Sequence, residues 1–269
     1  TPGIMHACGH DGHTAMLLGA AKYLAETRNF AGSVTVIFQP AEEGGGGGLE
    51  MVKDGMMERF NIGRVFGMHN MPSLPVGAFA IRPGPIMAAT AEFTIAIKGR
   101  GGHAAMPHVT IDPIVVGSQL VTTFQSVVSR SADPVEALVV SVTKFHAGDA
   151  YNIISESAEI AGTARTLNKS LAALAEKRIR EICAGIAAAS GATIEVDYDA
   201  NYPVTVNDPG QTDFAGDVAA AVAGEAGVVR SVPPLMAGED FSYMLEARPG
   251  AYLFLGTGPG AGLHHPAFD

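Results

Sequence analysis

From residue 14 to 26, Met16, Leu17, Ala20, Ala21 and Leu24 recur at the spacing of one helical face and predict a helix. The next apolar run has another period. Residues 33–38 (SVTVIF), bounded by Gly32 and Pro40, form a β-branched block that predicts a buried strand. A helix is expected over 49–57, closing near Gly55, followed by strands over 64–68 and 77–81. Such alternation predicts an α/β sheet whose functional loops lie at strand ends.

A different rhythm occupies the middle of the chain. Residues 92–98 alternate apolar and polar, as a half-buried strand does. Asp112-Pro113 reads as a cap with Pro at the first helical position, and the apolar stripe Ile114, Gly117, Leu120, Val121, Phe124 and Val128 runs to about Arg130. Strands over 138–145 and 156–164 follow. Asn168 then caps a helix ended by Gly191, and 193–198 is a last strand. The order β-α-β-β-α-β is the ferredoxin-like arrangement. After Tyr202 the first rhythm returns, with helices over 208–223 and 239–246 and a buried strand over 251–255. The expected organisation is a discontinuous α/β domain, 1–87 and 202–269, with a compact α+β unit, 88–201, inserted into it.

Composition narrows the class. With 47% hydrophobic and 16% charged among 269 residues, the chain can build a sizeable core and is not intrinsically disordered. Seventeen basic against 27 acidic residues give −10, with no basic stripe for a nucleic-acid backbone. No uninterrupted apolar run approaches the ~18 residues of a membrane span. Two cysteines, Cys8 and Cys183, cannot make a disulfide framework, and the chain reads as cytoplasmic. Cys183, on an apolar helix stripe, reads as a small core side chain. A start at Thr1, directly before a His-dense motif and without a signal-peptide pattern, predicts a piece of a longer protein.

Five short stretches carry reactive side chains. In His6-Ala7-Cys8-Gly9-His10-Asp11-Gly12-His13, Cys8 and His10 lie two apart, so an extended backbone turns both to one side, able to clasp a metal. In Gln39-Pro40-Ala41-Glu42-Glu43, two adjacent carboxylates at a strand end diverge, so one can ligate while the other handles protons. A bare Glu-Glu pair reads first as a solvated loop. Five following glycines, which let backbone approach closely, favour a site. His69, ending a predicted strand, reads when taken alone as a core histidine. Of His264 and His265 at most one can face a given point. His103, in a Gly-rich loop of the inserted unit, suits a lid that touches substrate after closure. Nucleophile-elbow, phosphate-loop and His-Glu-x-x-His patterns are missing, and the acidic residues before the Gly44 run oppose a pyrophosphate.

Taken in order, HACGHDGH, QPAEEGGGG, GMHN, GRGGHAAMPH, NIISESAEIAGTART, MAGEDF and LHHP resemble the aminoacylase/carboxypeptidase-type di-metal amidohydrolases, in the branch of hippurate and indole-acetyl-amino-acid hydrolases. The resemblance spans essentially the whole chain. It implies a zinc-peptidase-like catalytic domain with an inserted lid or dimerisation domain. It also implies two divalent ions (Zn, Mn, Co or Ni) held by Cys8, His10, Glu43, His69 and His264, with Glu42 as general base. His103 becomes the lid histidine that stabilises the oxyanion, commonly across a homodimer. Asn152 and Arg165 become the groups that hold the substrate's carbonyl or carboxylate, a task the planar guanidinium suits. Glu239, in MAGEDF, falls near the site by pattern and has no role assigned. The cysteine ligand, softer than a carboxylate, implies sensitivity to oxidation.

The implied reaction is hydrolysis of a small N-acyl amino acid to a carboxylic acid and a free amino acid. Other readings are a dipeptidase or carboxypeptidase of the same fold, and a non-catalytic acyl-amino-acid binding protein. The resemblance also implies that family members carry further strands and helices before Thr1, with an acidic motif that orients the metal site, and a final helix after LHHP.

Overall fold

The computed structural model describes residues 5–268. It divides into two compact units, one comprising the chain up to Ile86, Thr205–Pro234 and the stretch from Glu239, the other Met87–Val204 with Leu235–Gly238.

The first unit opens with α1 (His10–Thr27), which starts four residues before the expected helix. Gly9, at φ 76°, turns the chain into it, and Arg28 ends it in the left-handed region with its N–H on the Leu24 carbonyl. None of its residues is buried. The strand expected over 33–38 is not formed. The segment is extended, but among the described residues no ladder pairs with it, and Val34, Val36 and Phe38 are exposed. Branched side chains favour an extended backbone; a strand also needs a neighbour for its N–H and C=O groups. The helix expected over 49–57 is two, α2 (Gly47–Lys53) and α3 (Met56–Arg59), because Gly55 adopts φ 79° between them. Strands β1 (Val65–Met71), β2 (Phe79–Ala80) and β3 (Gly84–Met87) follow.

The second unit has the alternating strand β4 (Ala89–Lys98), the short β5 (Gly102–His103), and α4 (Pro113–Ser126), where Asp112 accepts the Ile114 N–H at 2.8 Å. A π turn over Val127–Ser131 extends α4. Next come β6 (Leu138–Ala147), β7 (Ile153–Ile154), β8 (Ser157–Thr166), α5 (Lys169–Ser190) and β9 (Thr193–Tyr202). Asn168 caps α5 through the Ser170 N–H at 2.9 Å, and Gly191 closes it at φ 76°. The four long strands lie in the antiparallel order β6-β8-β4-β9. Phe93, Ile95 and Ile97 on β4 pack with Leu120 and Phe124 of α4 and Ile179 of α5, all but dry. Each contributes about 1.5–3 kcal/mol by leaving water.

The chain re-enters the first unit through β10 (Thr205–Asn207), α6 (Pro209–Ala223), β11 (Val228–Val229), α7 (Ser242–Ala247) and β12 (Gly250–Gly256). The helix expected over 239–246 begins only at Ser242, because the Glu239 carboxylate accepts the Phe241 N–H at 3.0 Å and folds the preceding residues into a turn. The sheet order is β1-β12-β2-β11, with β1 and β12 parallel over seven residues. Asn207 locks β12 from one side: its amide donates to the Tyr252 and Arg82 carbonyls, and its oxygen accepts the Tyr252 N–H at 2.7 Å. That register sets His69 opposite Phe254, near the carboxyl ends of the parallel pair, where α/β sheets place ligands.

Candidate metal centre

Cys8 and His10 do converge, though not along an extended backbone. The left-handed Gly9 reverses the chain between them and His10 is already the first helical residue. His13, one turn later, shares its face. The His10 and His13 rings are 5.5 Å apart, and the His13 and His69 rings 4.5 Å.

The loop from Pro40 to Gly46 presents the two glutamates. Ala41 sits at φ 53°, and the Gly45 N–H returns to its carbonyl at 3.0 Å. A Cβ on Gly47 would stand 1.8 Å from the Pro40 carbonyl oxygen, so the loop closes on itself only with glycine there. The closed loop aims Glu42 at His10 (Oε2 to Nε2 3.8 Å) and Glu43 at His264 (Oε1 to Nε2 3.3 Å).

His69 is buried and its tautomer is dictated by its partner. Nδ1 lies 2.7 Å from the Asn70 carbonyl, which can only accept, so Nδ1 carries the proton and Nε2 offers a lone pair. That lone pair faces Cys8 Sγ at 3.4 Å. His13 Nε2 in turn accepts the Asn70 backbone N–H at 3.0 Å, while the Asn70 amide donates to the Cys8 carbonyl at 2.7 Å. Across the site the His264 N–H donates to the Ala7 carbonyl at 2.6 Å, next to Cys8. His265 faces elsewhere, its Nδ1 accepting the Ala267 N–H.

Among the described residues, donor atoms thus meet in four overlapping groups: Cys8 with His10 and His69, Cys8 with Glu43 and His264, His10 with Glu42 and Glu43, and Glu42 with Glu239 and Asp240, each within 4.8 Å. Thiol, imidazole and carboxylate together are the donors borderline divalent ions favour. The electrostatics point the same way. Without a cation, burial and then the nearby Glu43 and Glu42 push the Cys8 thiol up to about 12. Burial, with Glu239, Glu43 and Asp240 adding to it, raises Glu42 to about 8. Burial also holds the His69 and His13 imidazoles below their ordinary range, His13 at about 4, keeping them neutral. A pocket that resists its own negative charge and keeps its imidazoles unprotonated fits divalent cations.

Behind the loop, the Tyr252 hydroxyl donates to Glu239 Oε2 at 2.5 Å, and Asp240 accepts from Gln39 Nε2 and from the Gly48 N–H. Sequence reasoning assigned no part to His13, Asn70, Tyr252 or Asp240. A tyrosine inside an otherwise apolar strand was the available signal, since a buried hydroxyl requires a partner.

The remaining expected site residues lie in the second unit. His103 is exposed on β5; its Nδ1 accepts the Ala105 N–H at 3.1 Å, so Nε2 carries the proton. Asn152 adjoins it: its carbonyl accepts the Ala104 N–H at 3.0 Å, and His103 pairs with Ile153. Arg165, on β8, donates from Nη1 to the Met236 carbonyl at 2.8 Å, which fixes its guanidinium.

A thiol–imidazole–carboxylate cluster beside the carboxyl end of β1 marks a metal-binding protein of α/β fold. The chain belongs to peptidase family M20/M25/M40, whose profile matches residues 1–269. It is 43% identical to hippurate hydrolase of Campylobacter jejuni over 98% of this chain and 69% of that protein. It is 41% identical to IAA-amino acid hydrolase ILR1-like 4 of Arabidopsis thaliana over 100% of this chain and 62% of that one. Its fold matches a dinuclear metal-binding M20 peptidase from Bacillus subtilis with TM-score 0.81 and 35% identity, covering 98% of this chain and 67% of that one. The chain is a metal-dependent amidohydrolase of this family, and it spans about two thirds of the length of these relatives.

Proposed function

We propose that the protein hydrolyses the amide bond of small N-acyl amino acids, releasing a carboxylic acid and a free amino acid. The observation that supports this reading is the meeting of Cys8, His10, Glu43, His69 and His264, from four separate stretches of chain, in overlapping groups, with Glu42 beside His10 and Glu43. The names of the relatives, a hippurate hydrolase and an IAA-amino acid hydrolase, support the substrate class.

In this reading Cys8, His10, Glu43, His69 and His264 hold two divalent ions, which polarise the attacking water and the amide carbonyl when bound. Zn, Mn, Co and Ni all suit such donors. Glu42 takes the proton of the attacking water and passes it to the leaving nitrogen. Its side chain, 19% exposed, is sheltered enough to keep that proton from bulk solvent. His103 donates from Nε2 to the developing oxyanion, an interaction worth about 3–4 kcal/mol in comparable sites. Arg165 and Asn152 hold the carboxylate and carbonyl of the substrate, which selects amides that bear a free acid.

The second unit serves as the lid and dimerisation domain, with His103 offered to the site of a partner subunit in a symmetric homodimer. A reduced, cytoplasmic setting suits a donor set that includes a free thiol. Among the described residues no helix is long and apolar enough to cross a membrane. Glu42 argues against a purely binding role, which would need no base.

The test is turnover of N-benzoylglycine by protein stripped of metal and reloaded with each ion, compared with N-acetyl amino acids and dipeptides. Metal-dependent release of benzoate is expected. Efficient cleavage of dipeptides alone would shift the assignment to a dipeptidase.

A further inference from the structure

We infer that Asp240 is a positioning residue, a buried brace that holds the Glu42–Glu43 loop closed by bonding to both of its ends; the inference rests on the role proposed for that loop. Asp240 is 0% exposed. One carboxylate oxygen accepts from Gln39 Nε2 and the other accepts the backbone N–H of Gly48 at 2.8 Å. Gln39 is the last residue before the loop and Gly48 lies in the first turn of α2, just after it. One side chain from a distant part of the sequence therefore spans the two posts between which Glu42 and Glu43 hang.

The loop needs an outside brace. The segment that leads into it, 33–40, belongs to no ladder among the described residues, so the sheet does not fix Gln39. On the far side α2 is only seven residues long. A Cβ on Gly48 would stand 2.8 Å from the Asp240 carbonyl oxygen, so glycine there lets the helix start sit directly against the residue that holds it. Both acceptors of Asp240 are used, from two directions, which a carboxylate does without reorienting.

The geometry separates bracing from charge and from ligation. Asparagine at 240 can keep its oxygen on the Gly48 N–H and turn its amide NH₂ to Gln39, whose own amide flips to accept. The brace then survives without the charge. Alanine removes it. A ligand role is the rival, because Asp240 also lies in a metal-capable group with Glu42 and Glu239.

The experiment compares Asp240→Ala, Asp240→Asn, Gln39→Leu and the double variant Gln39→Leu/Asp240→Ala in the metal-loaded protein. Hydrogen exchange of residues 40–48, metal content, kcat and KM are measured for each. Bracing predicts faster exchange in the loop and kcat lower by about 10- to 100-fold for Asp240→Ala, with KM and metal stoichiometry kept. It predicts exchange and kcat within a few-fold of the parent for Asp240→Asn. It also predicts that the double variant is no worse than Asp240→Ala, because both changes cut one brace. If Asp240→Asn is as damaged as Asp240→Ala, the charge matters and the brace is overturned. Asp240→Ala, which loosens the loop that carries Glu43, should bind metal more weakly at unchanged stoichiometry, whereas loss of a metal ion in Asp240→Asn, where the brace is kept, overturns it in favour of ligation. Should Asp240→Ala not fold, Gln39→Leu and Asp240→Asn carry the same comparison. Parent protein without amide turnover would sink the functional reading alone, since loop exchange decides the brace independently.

Discussion

The Tyr252 hydroxyl donates to the Glu239 carboxylate at 2.5 Å, with both side chains shielded from solvent. Asn207 fixes the tyrosine's backbone, so the hydroxyl is delivered from the sheet itself. Removing it in Tyr252→Phe takes one hydrogen-bond partner from a buried carboxyl that keeps the Phe241 N–H. The expected cost is about 1–3 kcal/mol of stability, the range for depriving a buried polar group of its partner. Denaturant unfolding of parent and variant checks it; an unchanged midpoint would show that the hydroxyl bond contributes nothing net.

Glu42→Gln keeps the shape of the loop and removes the proposed base. Turnover of N-benzoylglycine should fall by about 10²–10⁴-fold while metal content stays that of the parent. A variant that retains parental turnover excludes Glu42 as the base. One that loses metal makes it a ligand.

The pH dependence of the metal-free protein follows from the same residue. Glu42 titrates near its ordinary 4.5 when unfolded and at about 8 when folded without metal. Between those values the folded state binds the extra proton, so the stabilisation is full below 4.5 and is lost as pH rises through 8. His13 runs the other way: ordinarily 6.5, about 4 when folded, its contribution is full above 6.5 and lost as pH falls towards 4. Thermal midpoints of chelator-treated protein should fall as pH rises from about 6.5 to 8, where His13 no longer opposes the effect, and less steeply in Glu42→Gln. Equal slopes of the two proteins over that window would rule out the raised Glu42.

Much of this was legible along the chain. The caps Asp112 and Asn168, the stop at Gly191 and the alternation of β4 rest on local chemistry, and the structure has each of them. Segment 33–38 shows the limit: its side chains specify extension, but a ladder depends on a neighbour that local pattern cannot supply. The convergence of Cys8 and His10 was expected for the wrong reason, because a left-handed Gly9 followed by a helix brings them together as an extended chain would. His13 and Asp240 stayed hidden since their roles are defined by partners 57 and 192 residues away.

Gly47 and Gly19 offer a matched contrast. A Cβ on Gly47 would meet the Pro40 carbonyl oxygen at 1.8 Å, whereas one on Gly19, in α1, would meet nothing within 4 Å. Gly47→Ala should open the glutamate loop and weaken metal binding by about 10-fold or more. Gly19→Ala should leave metal binding alone and stabilise by up to ~1 kcal/mol through helix propensity. Metal titration by calorimetry separates them; equal affinities in both variants would show that loop closure is not needed to bind metal.

The last prediction concerns the proposed exchange of His103 between subunits. The Ala105 N–H occupies Nδ1 and leaves Nε2–H free to donate, so the ring is set as a hydrogen-bond donor before any substrate arrives. His103→Ala lacks that donor and Glu42→Gln lacks the base, so each homodimer is defective in every site. In a mixed dimer, donation across the interface builds one site with both defects and one with neither. Mixing the two purified variants should therefore restore up to about half of the parental turnover per mixed dimer. Donation within a subunit puts one defect in each site and restores nothing. Dimers bearing two different tags, isolated before assay, distinguish the cases, and absence of recovery in them removes the trans arrangement.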